Sequence, residues 1–158
     1  MITQFILNLV EGAPIRLVDG GAQKRCFTDF RDGIECLFRI VENKNGQCNR
    51  RIFNIGNPQN EYSMAALADM LREQFDGHAL RFYFPPDGGI QRIEARAYYG
   101  SGYQDVQHQR PSIREAQRIV GWKPNVPFAQ CIGETLDYFL KSAVECAAEA
   151  SCAMPACE

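Results

Sequence analysis

With 158 residues, 46% of them hydrophobic and 23% charged, the chain can bury one sizeable core, so a single globular unit is expected. Its 17 basic and 19 acidic side chains leave a net charge of −2, which excludes a broadly cationic nucleic-acid surface and requires any anion site to be local. No apolar run reaches the roughly 18–20 residues needed to span a bilayer, and Met1-Ile2-Thr3-Gln4 lacks the basic opening of a secretion signal, so the expectation is a cytoplasmic protein without membrane insertion.

In chain order, Ile2, Phe5, Ile6, Leu9 and Val10 fall on one helical face that stops at Gly12. After Pro14, the run Ile15-Arg16-Leu17-Val18 reads as a strand closed by the turn Asp19-Gly20-Gly21. Gln23, Lys24 and Arg25 follow, two cations on a loop beside glycines. That combination suits a phosphate or diphosphate clamp, because freed backbone N–H groups and a guanidinium fork match such oxygens. It equally suits a solvated hairpin tip.

A short strand is expected at Cys26-Phe27-Thr28. Thr28 or Asp29 then caps a helix that carries Ile34, Leu37, Phe38 and Val41 on one face. The stretch 51–56 reads as a short buried strand ending in a glycine turn. Ser63 caps a further helix with Met64, Leu67, Met70, Leu71 and Phe75 as its apolar stripe, the methionines acting as core filler. Residues 80–84 form another strand candidate before Pro85-Pro86, with His78 in a solvated turn.

Residues 97–122 join an aromatic, glycine-loosened loop to a polar run and a helix ending at Gly121-Trp122, an arrangement suited to a polar ligand laid across a loop. Phe128, Ile132, Leu136 and Phe139 mark the final helix. From Ala143 the small-residue composition reads as a frayed helix end and a loose, cysteine-bearing tail. The seven cysteines (26, 36, 48, 131, 146, 152 and 157) are odd in number and include no CxxC pair, so reduced, mostly buried thiols are expected, with no metal site.

Four stretches, RLVDGGAQKRCFTDFRDGIE, FNIGNP, YYGSGYQDV and PSIREAQRIVGWKP, give residues 1–142 a resemblance to the extended short-chain dehydrogenase/reductase (NAD-dependent epimerase/dehydratase) family. Within it they are most similar to the carboxy-terminal part of the UDP-glucuronate decarboxylase module of bifunctional polymyxin-resistance enzymes, which serve 4-amino-arabinose modification of lipid A. FNIGNP and the PSIREAQRIVGWKP ending are shared across sugar-nucleotide epimerases and dehydratases; the other two stretches are more specific.

The resemblance implies an α/β fold, mostly helices with short strands, that forms the substrate-binding portion of such an enzyme. It divides the chain into a nucleotide-sugar-binding portion at 1–142 and a tail at 143–158. It also implies a UDP-sugar ligand such as UDP-glucuronate, with Arg16, Leu17, Val18, Asp19, Gly20, Gly21, Ala22, Gln23, Lys24, Arg25 and Tyr103 around it. In the family, bound NAD takes a hydride from the sugar, the resulting β-keto acid loses carbon dioxide, and a UDP-4-keto-pentose forms.

Two departures qualify that implication. Neither a glycine-rich dinucleotide turn nor a Tyr-x-x-x-Lys pair occurs in the sequence. A family arginine assigned to decarboxylation is replaced by Gln109, and Arg110 beside it is either a shifted substitute or a plain surface charge before Pro111. Glutamine donates only a neutral hydrogen bond, and neighbouring side chains in an extended segment point to opposite faces. The expectation is therefore a fragment lacking the Rossmann half, binding no NAD and inactive alone. Such a fragment would self-associate or meet a partner chain carrying that half. The alternative is a catalytically inactive nucleotide-sugar-binding or subunit-interface module.

Overall fold

The computed structural model describes residues 1–100 and 105–152. Helix α1 (Ile2–Glu11) buries Phe5, Ile6 and Leu9, the face its periodicity predicts, and ends at Gly12 in the left-handed conformation. Strand β1 (Ile15–Val18) follows, passes through a 3₁₀ turn at Asp19–Gly21, and leads to β2 (Lys24–Cys26). The second strand thus lies two residues earlier than the predicted Cys26-Phe27-Thr28. Hydrogen bonding to β3 (Glu61–Ser63) decides its place, with Lys24 opposite Ser63 and Cys26 opposite Glu61.

Helix α2 (Phe30–Glu42) is capped by Asp29, whose carboxylate accepts from the Arg31 N–H. Helix α3 (Met64–Asp76) is capped by Ser63, whose Oγ accepts from Ala66 N at 3.0 Å. Then come β4 (Ile90–Ile93), α4 (Ala95–Tyr99), β5 (His108–Gln109), α5 (Arg114–Val120) and α6 (Phe128–Cys152). Helix α6 continues well past Ala143, since alanine and glutamate favour helix even where nothing buries them.

Two small sheets result. Strands β1 and β4 pair in parallel, Ile15 opposite Ile90 and Val18 opposite Ile93. In the other sheet β2 lies between antiparallel β3 and parallel β5. Gly88 makes the first pairing possible, because a Cβ there would lie 2.5 Å from the Gly12 carbonyl oxygen and 2.6 Å from the Ala13 carbonyl carbon. β4 escaped the sequence reading, since its strand character comes from β1 and not from its own pattern.

The main core packs α1, β1, α3 and α6 together through Ile6, Leu9, Ile15, Met64, Leu67, Leu71, Phe75, Phe128, Ile132 and Leu136. Phe27 and Tyr62 stack on Phe128 with ring centroids 4.8 and 4.5 Å away. A second cluster gathers Cys36, Ile113, Ala116 and Trp122, with Phe53 and Ile55 against it.

Asp32 joins this cluster to the main core. Its backbone oxygen accepts from the Trp122 indole at 2.9 Å, and its buried carboxylate accepts from Asn125 N at 2.9 Å and Val126 N at 3.0 Å. A carboxylate in the first turn of α2 also suits the positive end of the helix dipole.

Three expectations are corrected. Residues 51–56 form no strand: Phe53 and Ile55 pack inward, but among the described residues no strand lies alongside, so there is no ladder to join. Residues 80–84 contain a 3₁₀ turn at Arg81–Tyr83, stabilised by Arg81 donating to the Phe84 and Pro85 carbonyls. The predicted apolar face of α2 exists but points outward. Ile34, Leu37, Phe38 and Val41 are exposed, and Asp32 and Cys36 face the interior instead. His78 is also more engaged than a solvated turn residue, accepting from Leu80 N at 3.1 Å and reaching Asp137 at 3.3 Å.

Two measurements test this packing. Asp32→Ala removes the acceptor from two partly buried N–H groups, at about 1–2 kcal/mol each, so urea unfolding should show a loss of about 2–4 kcal/mol at unchanged slope, partly restored in Asp32→Asn. Burial, reinforced by the charge of Asp29 and a hydrogen bond to it, pushes the Cys131 thiol up to about 11. Burial likewise raises Cys36. The thiolate is the reacting form, so iodoacetamide near about pH 8 should label exposed Cys146 at least about tenfold faster than Cys36 or Cys131.

Candidate functional site

The segment 16–25 enters the site as the continuation of a core strand. In β1, Ile15 and Leu17 are buried on one face and Arg16 points to the other, as the two-residue repeat of a strand requires, while Val18 at the strand's end is buried as well. Arg16 thereby reaches a cavity of about 610 Å³. One wall is α1, through Gln4, Phe5, Asn8 and Glu11; Leu17, Val18, Gln23 and Met64 form the floor; Tyr98 and Tyr99 of α4 contribute phenol rings. The cavity therefore combines a guanidinium, neutral amides, aromatic rings and an apolar base. Among the described residues Arg16 has no salt-bridge partner.

The turn after β1 is held by its own contacts. Asp19, Gly20 and Gly21 all have positive φ, at 47°, 74° and 71°. The Asp19 carboxylate accepts from Ala95 N at 2.9 Å, tying the turn to the start of α4 and so to the two tyrosines. A Cβ on Gly21 would stand 2.8 Å from Ala65 N, so this glycine lets the turn pass against the start of α3. Gln23 is buried, and its backbone carbonyl accepts from Met64 N at 3.1 Å.

The two cations that follow point to other work. Lys24 N donates to Gln107 O at 2.8 Å, the first link between β2 and the segment leading into β5. Arg25 donates to Asp105 Oδ1 and Val106 O, both at 2.6 Å, and to Lys24 O at 2.8 Å. Neither side chain lines the cavity. Arg25 instead holds Asp105 and Val106, at the start of the segment leading into β5. Tyr103 lies outside the described residues.

Gln109 stands opposite Arg25 in the β2–β5 pairing and is exposed. Arg110 is exposed beside it, and its charge acts on the Cys26 thiol, partly offsetting the upward push of burial and of Glu61. Neither lines the cavity. The structure thus gathers Arg16, Leu17, Val18 and Gln23 at one hollow, leaves Lys24, Arg25, Gln109 and Arg110 outside it, and adds Tyr98 and Tyr99. Those tyrosines sit in the aromatic stretch after 97, which was the available signal. The contribution of α1 carried none, because Asn8 and Gln4 are ordinary polar residues on a helix.

The described residues do not fit NAD. Such a cofactor needs a glycine turn leading from a strand directly into a helix amino-terminus. Here Asp19–Gly21 leads from β1 into β2, and β3 passes into α3 at Ser63 without a glycine. No group of three His, Cys, Asp or Glu side chains among the described residues gathers as a metal site. No helix among them is long and apolar enough to cross a membrane.

Comparison with known proteins agrees with this architecture. Residues 1–56 match the model of the NAD dependent epimerase/dehydratase family. The structure of PbgP3 from Burkholderia pseudomallei is 30% identical, with a TM-score of 0.74 over 91% of this chain and 39% of that one. A UDP-glucuronic acid 4-epimerase from Bacillus cereus, solved with UDP-glucuronic acid and NAD, is 20% identical, with a TM-score of 0.69 over 90% of this chain and 40% of that one. A UDP-glucose 4-epimerase from Thermotoga maritima, solved with UDP-glucose, is 19% identical, with a TM-score of 0.62 over the same shares.

The chain therefore spans about two fifths of the length of the solved structures it matches. In sequence over residues 1–56, and in fold over about nine tenths of its length, it is similar to the NAD dependent epimerase/dehydratase family, with nucleotide-sugar epimerases among its fold neighbours.

Proposed function

We propose that this chain is the UDP-sugar-binding portion of an NAD-dependent UDP-glucuronate decarboxylase of the kind that serves lipid A modification and polymyxin resistance, acting in the cytoplasm. The observation that carries the reading is the cavity on β1, where the segment resembling the family's UDP loop places Arg16 among amides and phenols. The Bacillus cereus epimerase solved with UDP-glucuronic acid supports the same class of ligand.

In this reading the guanidinium of Arg16 meets the diphosphate, for which its planar fork is suited. Asn8, Gln4 and Gln23 offer donors and acceptors to the base and hydroxyls, and Phe5, Leu17 and Val18 supply an apolar surface beneath a ring. Asp19, Gly20, Gly21 and Ala22 hold the turn in place. Lys24 and Arg25 act on the ligand indirectly, by fixing the 105–109 segment.

A second reading has its own support. Gln109 is neutral where the resembling enzymes carry an arginine, and it lies with Arg110 outside the cavity. An uncharged amide cannot balance charge developing on a departing carboxylate. By itself the chain then binds the nucleotide sugar without converting it.

Calorimetry separates the parts of this proposal. UDP should bind the full chain, UMP more weakly, and Arg16→Ala should weaken UDP by roughly ten- to a hundredfold, the effect of about 1.5–3 kcal/mol from a charged hydrogen bond. Equal binding by Arg16→Ala would remove the diphosphate assignment. Purified chain given UDP-glucuronate and NAD should release no carbon dioxide, and turnover would show that the second reading is wrong.

A further inference from the structure

A second hollow, of about 270 Å³, lies between the 57–60 turn and the segment that links α5 to α6. It shares no lining residue with the β1 cavity. Asn57, Gln59, Asn60, Gln117, Lys123 and Asn125 give it five carboxamides and one ammonium, and no carboxylate lines it. A carboxamide carries both donors and an acceptor, as a hydroxyl does, so this wall is chemically matched to hydroxyl groups.

Two of the amides are buried, Asn57 at 5% and Asn60 at 8% exposure, and each is only half used. Asn57 Oδ1 accepts from Gln59 N at 3.1 Å, and Asn60 Nδ2 donates to Val126 O at 3.3 Å, which fixes how both groups are turned. Among the described residues, Asn57 Nδ2 and Asn60 Oδ1 have no hydrogen-bond partner of their own. Nor are they sealed in: among the described residues, only Gln74 Oε1 is a side-chain atom both closed off and without a partner. A donor and an acceptor on mostly buried side chains therefore open onto the hollow. Buried polar groups are ordinarily matched, so this pair marks a place for a polar molecule.

The wall is held by its own bonds. Asn57 N donates to Thr28 Oγ1 at 2.9 Å, Asn60 N to Asn57 O at 3.1 Å, and Phe27 N to Asn60 O at 3.0 Å. On the other side, Asn125 N and Val126 N are pinned by the Asp32 carboxylate, which does not itself line the hollow. Lys123 is exposed and has no ion-pair partner among the described residues. A fixed donor and acceptor beside a free cation need little reorganisation to bind.

We infer that this hollow binds a small polyhydroxylated carboxylate of the sugar-acid class. Lys123 and Asn57 Nδ2 take its carboxylate, Asn60 Oδ1 accepts from a hydroxyl, and the exposed amides of Gln59, Gln117 and Asn125 meet the remaining hydroxyls. A neutral polyol would leave the ammonium unused. A plain alkyl carboxylate would leave Asn60 Oδ1 and the other amides facing methylene groups, which costs free energy. The inference is independent of whether the β1 cavity takes a nucleotide sugar.

The test titrates the full, isotope-labelled chain with D-gluconate, D-glucitol and hexanoate, which share a six-carbon chain, and follows the side-chain amide signals by nuclear magnetic resonance. D-gluconate should shift the Asn57 and Asn60 signals saturably and bind at least about fivefold more tightly than either of the others. Asn57→Asp keeps the acceptor for Gln59 N, removes the free donor and sets a negative charge beside the ligand, so it should weaken D-gluconate at least about tenfold. Lys123→Glu, at an exposed position, should weaken it at least about fivefold. Circular dichroism checks the fold of both variants, and Lys123→Glu decides alone should Asn57→Asp unfold. Absence of shifts at Asn57 and Asn60 overturns the inference, as does equal affinity for D-glucitol or hexanoate, or binding indifferent to Lys123→Glu. UDP calorimetry on the same samples reports separately on the β1 cavity.

Discussion

The carboxylate of Asp32 holds together two parts of the molecule that would otherwise share little. Trp122 belongs to the smaller hydrophobic cluster and Phe128 to the larger one, and the six-residue step between them is pinned by three hydrogen bonds to a single residue of α2. Burying a charged oxygen pair costs free energy unless its acceptors are filled, and two backbone N–H groups fill them here. The same step reaches back to the 57–60 turn, where Asn60 donates to Val126 O. α2, α5 and the start of α6 are consequently fixed relative to β3, and through β3 relative to β2 and to Gln23 and Met64 at the cavity floor.

That chain of support explains why so little of the 16–25 segment is free to meet a ligand. Gly21 is spent on clearance against α3, Asp19 on α4, the Gln23 backbone on α3, and Arg25 on Asp105 and Val106. A glycine- and arginine-bearing loop resembles a phosphate cradle in sequence because both uses need the same residue types. Glycine permits close approach to any backbone, and the arginine fork satisfies carbonyls and carboxylates as readily as phosphates. Only the neighbours in space distinguish them.

Local signals in the sequence were accurate wherever an element is stabilised by its own residues. The α1 and α3 faces, the Asp29 and Ser63 caps, the Gly12 stop and the β1 strand all read correctly, because caps and periodicity act within a few residues. Errors fell where the decisive partner is distant or missing. β4 is a strand because β1 lies beside it; 51–56 is not, despite its residues, because none of the described residues pairs with it. The α2 stripe was visible, but its orientation was settled by Asp32 and Trp122, 90 residues apart. Arg16 and Gln23, expected around a ligand, do line the cavity, whereas Asn8, Tyr98 and Tyr99 join it only through the docking of α1 and α4 around β1.

The near-balance of charge then acquires a structural meaning. A chain at −2 has no overall field to attract an anion, so any anion site has to be built locally. Arg25, Arg31, Arg39 and Arg72 are each committed to a carboxylate. Arg16 is held on a strand whose other side chains are buried, so its base is rigid while its guanidinium opens onto a hollow walled by Phe5, Leu17 and two tyrosines. Coulomb interaction strengthens as the effective dielectric falls, about fourfold between bulk water and a typical protein surface. Under the proposed reading, this local cation, and not the overall field, is what an anionic ligand meets.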